Sequence, residues 1–226
     1  MSGPGLDPRD EPPPGAGEPP TTFRALIDNR RYGWTVGVLV SVVAVGFLVY
    51  TLTNHRSGAG TPGVAAGGQL RYFAAPLALS DLNGDANLNP PCTLARHDPR
   101  ALNVCLLAGR GPVVLDFFVT GSRPCEREVS TMQALASDPA TRGAQYAAVA
   151  VNTSHTAATA AVRARGWTIL VAYDADGGVG GLYGVTACPL LELAYRGGTV
   201  AQRLIGEHWL SKDALAAQVQ ALLRHG

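Results

Sequence analysis

Of the four cysteines in the chain, Cys125 has the setting in which a thiol reacts. It follows the apolar run PVVLDFFV (Pro112 to Val119) and a short turn, and it opens the segment CEREVSTMQALAS. A thiol is a nucleophile only as the thiolate. A helix N-terminus, with its free N–H groups and positive dipole end, lowers the thiol pKa. Three positions earlier, where a second sulfur would complete a dithiol, stands Ser122. A hydroxyl without a strong base beside it is not nucleophilic. Serine ahead of a helix that carries proline in its first turn suits an N-cap, which is the role expected of Ser122. Asp116 is a lone acid inside VVLDFFV, a costly placement unless it is paired. Burial raises a carboxyl pKa, so Asp116 is a candidate proton acceptor for Cys125 near neutral pH. The plainer alternative is a strand acid that reaches a nearby polar group.

Two further cysteines, Cys92 and Cys105, bracket TLARHDPRALNV. A short-loop disulfide between them would staple this segment and contribute about 2–3 kcal/mol. The alternative is zinc with His97 as a third ligand. No Cys-x-x-Cys spacing and no clear fourth ligand support it, so no metal site is expected.

The elements that must position these residues follow from periodicity. PVVLDFFV and QYAAVAVN (Gln145 to Asn152) read as buried strands. Val129, Met132 and Leu135 fall on one face of a helix that begins at Cys125, and TAATAAVRARG is a small-residue helix closed by Gly166. LVAYDADGGVGGLYGV holds a turn at Asp176-Gly177 and a short helix toward Tyr183. PLLELAYRGGTVAQRLIG is a hairpin joined at Gly197-Gly198. SKDALAAQVQALLRH closes the chain as an amphipathic helix, with Ser211 as N-cap and Leu215, Val219 and Leu222 on its core face. The order β-α-β-α-β-β-α predicts an α/β domain whose parallel sheet has an antiparallel edge.

Ahead of this domain the composition changes twice. Residues 1–31 are rich in proline and glycine and lack the apolar side chains that offset ordering, so they are expected to be a disordered cytoplasmic tail. Residues 32–54 carry no charge, and ~20 apolar residues span a bilayer core, so a single-pass transmembrane anchor is expected there. Arg24, Arg30 and Arg31 precede the run, and the bias favours a cytoplasmic N-terminus. The run is longer than the ~7–15 residues of a signal-peptide core, which favours an uncleaved anchor, although the small residues after it leave cleavage open. Residues 55–68 read as a flexible linker and residues 69–226 as the folded, extracytoplasmic domain. All four cysteines lie beyond the anchor, where disulfides form and persist. The net charge of +1, with no clustered Lys and Arg, gives no electrostatic footprint for nucleic acid.

The segment VVLDFFVTGSRPCEREVSTMQAL resembles the active-site region of thioredoxin-like proteins, where a strand ends in W-C-x-x-C and a helix follows. GWTILVAYDADGGVGGLYGVTACPLLELAYRGGTV is similar to the later half of the membrane-anchored TlpA/ResA type, with its Y-G-V-x-x-x-P and D-G turn. The resemblance runs from about Arg71 to the C-terminus and implies a thioredoxin-like fold, a central mixed sheet flanked by helices. It puts Ser122 at the attacking-cysteine position, Cys125 at the second cysteine, Pro189 at the cis-proline facing the pair, and Asp116 at the buried acid beneath it. Cys188, directly before Pro189, would then lie close to Cys125, and the pair would rebuild a displaced dithiol. The implied function is an extracytoplasmic thiol–disulfide oxidoreductase acting on protein thiols or a redox partner, with no cofactor beyond its own sulfurs. A scaffold of the same fold with purely structural disulfides is the second reading. A thiol peroxidase of the P-x-x-x-T-x-x-C kind fits poorly, since Thr120 stands five positions before Cys125 rather than three. Glu192 interrupts the strand after Pro189 and is expected to face solvent or line the site.

Overall fold

A computed structural model of the chain describes residues 29–54 and 63–225. The expected tail lies outside the described residues except for its last three positions, and so does most of the expected linker. The first helix, α1, spans Asn29–Asn54, and its side chains are described over 34–47. Over that stretch the apolar side chains are exposed, Leu39, Val42, Val43 and Phe47 among them. Among the described residues no helix is long and apolar enough to cross a membrane. Helix α1 and the domain from Gly63 onward form separate units.

The domain is built on a five-stranded sheet. Its strands are β3 (Val113–Phe118), β4 (Gln145–Val151), β5 (Leu170–Asp174), β6 (Leu190–Ala194) and β7 (Val200–Ile205), in the spatial order β5-β4-β3-β6-β7. β3, β4 and β5 pair in parallel, while β6 and β7 run antiparallel to their neighbours. This is the thioredoxin-like mixed sheet that the resemblance implies. A short pair, β1 (Ala74–Pro76) and β2 (Ala101–Asn103), precedes it.

Strand β5 is not among the strands expected from the sequence. Leu170–Asp174 carries four buried residues, but it runs directly into Asp176-Gly177-Gly178, whose turn chemistry dominates the local pattern. The hairpin forms as its glycines require: Gly197 and Gly198 both have φ near +90°, a conformation that L side chains rarely adopt.

The two faces of the sheet bury different side chains. On one face, Leu115, Phe117, Val149 and Leu190 pack with α2 (Val104–Arg110) and α5 (Gly178–Tyr183). On the other, Val114, Tyr146, Leu191 and Leu193 pack with α3 (Arg123–Ala136) and α6 (Lys212–His225), through Met132, Leu135, Leu215, Val219 and Leu222. Helix α4 (His155–Arg165) covers the β4–β5 end of that face with Ala158 and Val162. It is capped by Ser154 and ends at Gly166 in the left-handed region. Because strand side chains alternate, Asp116 shares the α3 face with Val114 and Phe118. Glu192 falls on the opposite face, with Leu190 and Ala194.

The folded domain starts earlier than Gln69. Gly63 donates its N–H to Tyr183 O at 2.6 Å, Gly67 donates to Val200 O at 2.8 Å, and Val200 donates back to Gly68 O at 2.8 Å. Val64 is buried. Residues 63–68, expected as linker, are therefore docked on the domain. Their small side chains suggest flexibility, but their backbone hydrogen bonds fix them.

Candidate functional site

The site is assembled where β3 ends and α3 begins. After Phe118 the chain turns through Val119 and Thr120 to Gly121, whose φ of +80° lets it reverse into the helix. Glu126, in the first turn of α3, reaches back to accept the Gly121 N–H at 2.8 Å. Its other oxygen pairs with Arg165 of α4, at 2.6 Å from Nη2 and 3.0 Å from Nε. One buried carboxylate thus ties the loop, α3 and α4 together.

Ser122 occupies the N-cap position with extended backbone (φ −90°, ψ 110°), but its side chain makes no capping hydrogen bond. Its Oγ lies 2.9 Å from Cys125 Sγ instead. The expected capping role is therefore filled by position only, and the hydroxyl is turned onto the sulfur. Glu126 takes over the satisfaction of the loop.

Cys125 is 4% exposed and packs with Phe118, Val129, Ala150 and Trp167. Across from it stands Cys188, joined to Pro189 by a cis peptide bond at the entrance to β6. Although 63 positions apart, the two cysteines are disulfide-bonded, with Cα atoms 5.6 Å apart. Cys188 is only partly buried and lies at the rim of the cluster that encloses Cys125. Cys92 and Cys105 are likewise bonded to each other, with Cα atoms 5.5 Å apart. Cys92 sits in an exposed loop and Cys105 in the first turn of α2, away from α3, and His97 stands near Asp98 on the same loop.

Asp116, in the middle of β3, is fully buried and neither carboxyl oxygen has a hydrogen-bond partner. Burial pushes its pKa well above the ordinary carboxylate range, and the neighbouring Glu128 pushes it further. Glu128 lies one helical turn beyond Cys125 on the same buried face of α3 and is equally unpartnered. Its carboxyl is pushed up to about 8 by burial. Two uncompensated carboxylates side by side would be costly, so burial and their mutual repulsion both favour the protonated forms. Flanked by Glu126 and Arg127, Glu128 has the sequence surroundings of an exposed acid. The available signal was its spacing: 125, 128, 129, 132 and 135 form one continuous stripe.

Glu192 neither faces solvent nor lines this site. It is fully buried on the other face of the sheet, and its Oε1 accepts the Val64 N–H at 2.5 Å. Burial raises its carboxyl to about 7, against the lowering effect of that bond and of Arg203 and Arg71. His155 is structural: its ring stacks on Tyr173 and contacts Asn83 Oδ1 at 2.7 Å. Trp167 packs edge-to-face on Phe118 and donates to Ser130 Oγ at 3.0 Å.

Residues 90–203, which include both cysteine pairs, Asp116 and the cis-proline, match the model of the AhpC/TSA family. The chain belongs to the AhpC/TSA family. Solved structures share the fold of this redoxin. A candidate thiol:disulfide interchange protein DsbE from Chlorobium tepidum superposes with a TM-score of 0.56 at 23% identity, over 71% of this chain and 99% of that one. Peroxidoxin BcpB from Mycobacterium tuberculosis gives a TM-score of 0.53 at 19% identity, over 72% and 97% of the two chains. A hypothetical protein from Sinorhizobium meliloti 1021 gives 0.54 at 16%, over 72% and 86%. At these identities the likeness is one of fold, the thioredoxin-like α/β arrangement of the redoxins. No curated protein matches the chain.

Proposed function

We propose that this redoxin is a membrane-anchored, extracytoplasmic thiol–disulfide oxidoreductase whose exchanging pair is Cys125 and Cys188. The observation that carries the reading is the disulfide that joins the first turn of α3 to the entrance of β6, on the helix face that also buries Glu128, which with Asp116 of β3 has no hydrogen-bond partner. A structural staple has no use for Asp116 and Glu128, and uncompensated buried acids cost stability. An exchanging pair does use them, because reduction creates thiolates that must be protonated and reoxidation releases those protons. The substrates are protein thiols or a protein redox partner, and the chemistry calls for no cofactor.

The anchor rests on the uncharged run of residues 32–54, on the arginines ahead of it, and on the exposure of apolar side chains on all sides of α1. A helix that is apolar all round is at home in a bilayer; the described side chains cover only 34–47, and the uncharged sequence on either side supplies the rest of the ~20 residues that a span needs. Retention of the full chain in carbonate-washed membranes, with the domain digested by protease added from the extracytoplasmic side, tests this arrangement. Release into the soluble fraction would refute it.

The redox reading is tested by equilibrating the full chain with defined ratios of glutathione or dithiothreitol and trapping thiols for mass spectrometry. A Cys125–Cys188 potential well above about −300 mV fits an exchanging pair. A bond that persists below that value identifies a staple, and with it the scaffold reading.

A further inference from the structure

We infer that the two sulfurs have fixed and unequal roles: Cys188 is the sulfur attacked by a partner's thiolate, and Cys125 is the sulfur that leaves, held by Ser122. This inference rests on the reading of the pair as an exchanging one.

Access decides which sulfur is attacked. An incoming thiolate approaches along the S–S axis from behind the sulfur it attacks, so that sulfur needs an open side. Cys125 is 4% exposed and belongs to the buried cluster that includes Phe118, Val129, Ala150 and Trp167. Cys188 is partly exposed, and the two residues before it, Thr186 and Ala187, are exposed. At the position that is three residues ahead of Cys125, and nearer the surface, the side chain is a hydroxyl and cannot carry the exchange.

The leaving sulfur is decided by what receives its charge. When the bond breaks, the electron pair goes to the sulfur that is not attacked, and exchange is faster when that thiol has the lower pKa. Ser122 Oγ already lies 2.9 Å from Cys125 Sγ. A bonded sulfur has no proton, so the hydroxyl is the donor, and its hydrogen bond strengthens as negative charge develops. Cys125 also sits at the third residue of the 14-residue α3, on the positive side of the helix dipole. Among the described residues no hydrogen bond reaches Cys188 Sγ. Both the donor and the dipole therefore favour negative charge on Cys125 over Cys188.

One thiolate of a partner's dithiol attacks Cys188 Sγ, the Cys125–Cys188 bond breaks, and Cys125 departs as a thiolate. The partner's second thiol loses its proton and attacks the partner's own sulfur in the mixed disulfide, which releases Cys188 as a thiolate. The partner leaves oxidised by two electrons, and Cys125 and Cys188 each take up one proton. In the reverse direction the Cys188 thiolate is the nucleophile on a partner's disulfide, and Cys125 resolves the mixed disulfide.

The test uses glutathione as the probe on the oxidised full chain. Samples are acid-quenched at short times and digested with trypsin, which places Cys125 and Cys188 on different peptides, ending at Arg127 and Arg196. The expected result is glutathione on Cys188 in about tenfold or greater excess over Cys125. An excess on Cys125 overturns the assignment and leaves the pair an exchanging one. An intact bond with no adduct removes the redox reading, and the assignment falls with it. Should reduction outrun the trap, the single variants decide. In Cys125→Ala the remaining Cys188 is expected to take up glutathione from glutathione disulfide about tenfold faster than Cys125 does in Cys188→Ala, and the opposite order overturns the inference.

Discussion

Ser122 Oγ and Cys125 Sγ lie 2.9 Å apart, three positions apart in the chain, at the start of a helix whose first turn does not use the serine as a cap. The hydroxyl is a donor to sulfur, and it gains strength when that sulfur is a thiolate. Replacing it is therefore a test of chemistry more than of folding. In Ser122→Ala the departing Cys125 thiolate loses about 1 kcal/mol of stabilisation, so glutathione is expected to open the Cys125–Cys188 bond roughly fivefold more slowly. The melting temperature is expected to stay near that of the wild type, because no capping bond is lost. A large fall in melting temperature with an unchanged exchange rate would mean that the hydroxyl is structural.

Glu128 gives the domain a pH dependence of definite sign. Its carboxyl is raised to about 8 by burial, so between its ordinary value and that one the folded protein holds a proton that the unfolded chain has released. Stability from this group is complete at low pH and is lost as pH rises through 8. The slope approaches about 1.4 kcal/mol per pH unit where the two states differ by a whole proton. Asp116 acts in the same direction, being raised first by burial and then by Glu128. Glu128→Gln removes one titration and weakens the other. Urea unfolding at pH 5, 6.5 and 8 is expected to show a shallower decline for the variant than for the wild type. Parallel curves would show that Glu128 does not titrate in this range.

The parts of this molecule that were legible in the sequence are those written in periodicity and turn chemistry. Val129, Met132 and Leu135 mark the buried face of α3, Leu215, Val219 and Leu222 mark that of α6, and Gly197-Gly198 marks the hairpin. Strand β5 was hidden because its five residues give too short a pattern to stand against the glycines that follow. The proximity of Cys125 and Cys188 came only from resemblance, since no local pattern reports a contact between residues 63 positions apart. Glu128 and Glu192 were obscured for a common reason: an acid is read as exposed unless the apolar stripe or strand around it is counted. The orientation of Ser122 was not legible at all. The same residue at the same position can bond the helix or the sulfur, and nothing in the local pattern chooses between them.

The Cys92–Cys105 bond is expected to stabilise without taking part in exchange. It closes a loop of 13 positions around a segment that contributes no buried side chains between Pro91 and Arg100. A loop of that length corresponds to about 3 kcal/mol in the chain-entropy account. The paired variant Cys92→Ser with Cys105→Ala should melt roughly 6–12 °C lower than the wild type. Its Cys125–Cys188 potential should be unchanged, since the two bonds share no residue. A shifted potential at unchanged melting temperature would assign the outer bond a redox role in place of a structural one.

Glu192 fastens the start of the domain to the sheet. The carboxyl of a central strand is fully buried, accepts the Val64 N–H at 2.5 Å, and has its second oxygen unpartnered. An added Cβ at Gly63 would stand 2.2 Å from the same Oε1, so the chain passes over this acid too closely for a side chain there. Gly63 itself has φ of +84°. The acceptor and the glycine thus form a clasp between the segment leading in and β6. Glu192→Leu removes the acceptor, and the Val64 amide is expected to exchange with deuterium about tenfold faster or more, with protease cleavage appearing near residues 63–68. Glu192→Gln keeps an oxygen acceptor and should leave that exchange near the wild-type rate. The carboxyl is raised to about 7, so its stabilisation is lost as pH rises from the ordinary carboxylate range through 7, and Glu192→Gln should abolish that loss. If Val64 exchange is the same in all three proteins, the segment is held by its backbone bonds with Tyr183 and Val200, and Glu192 is a passenger in the core.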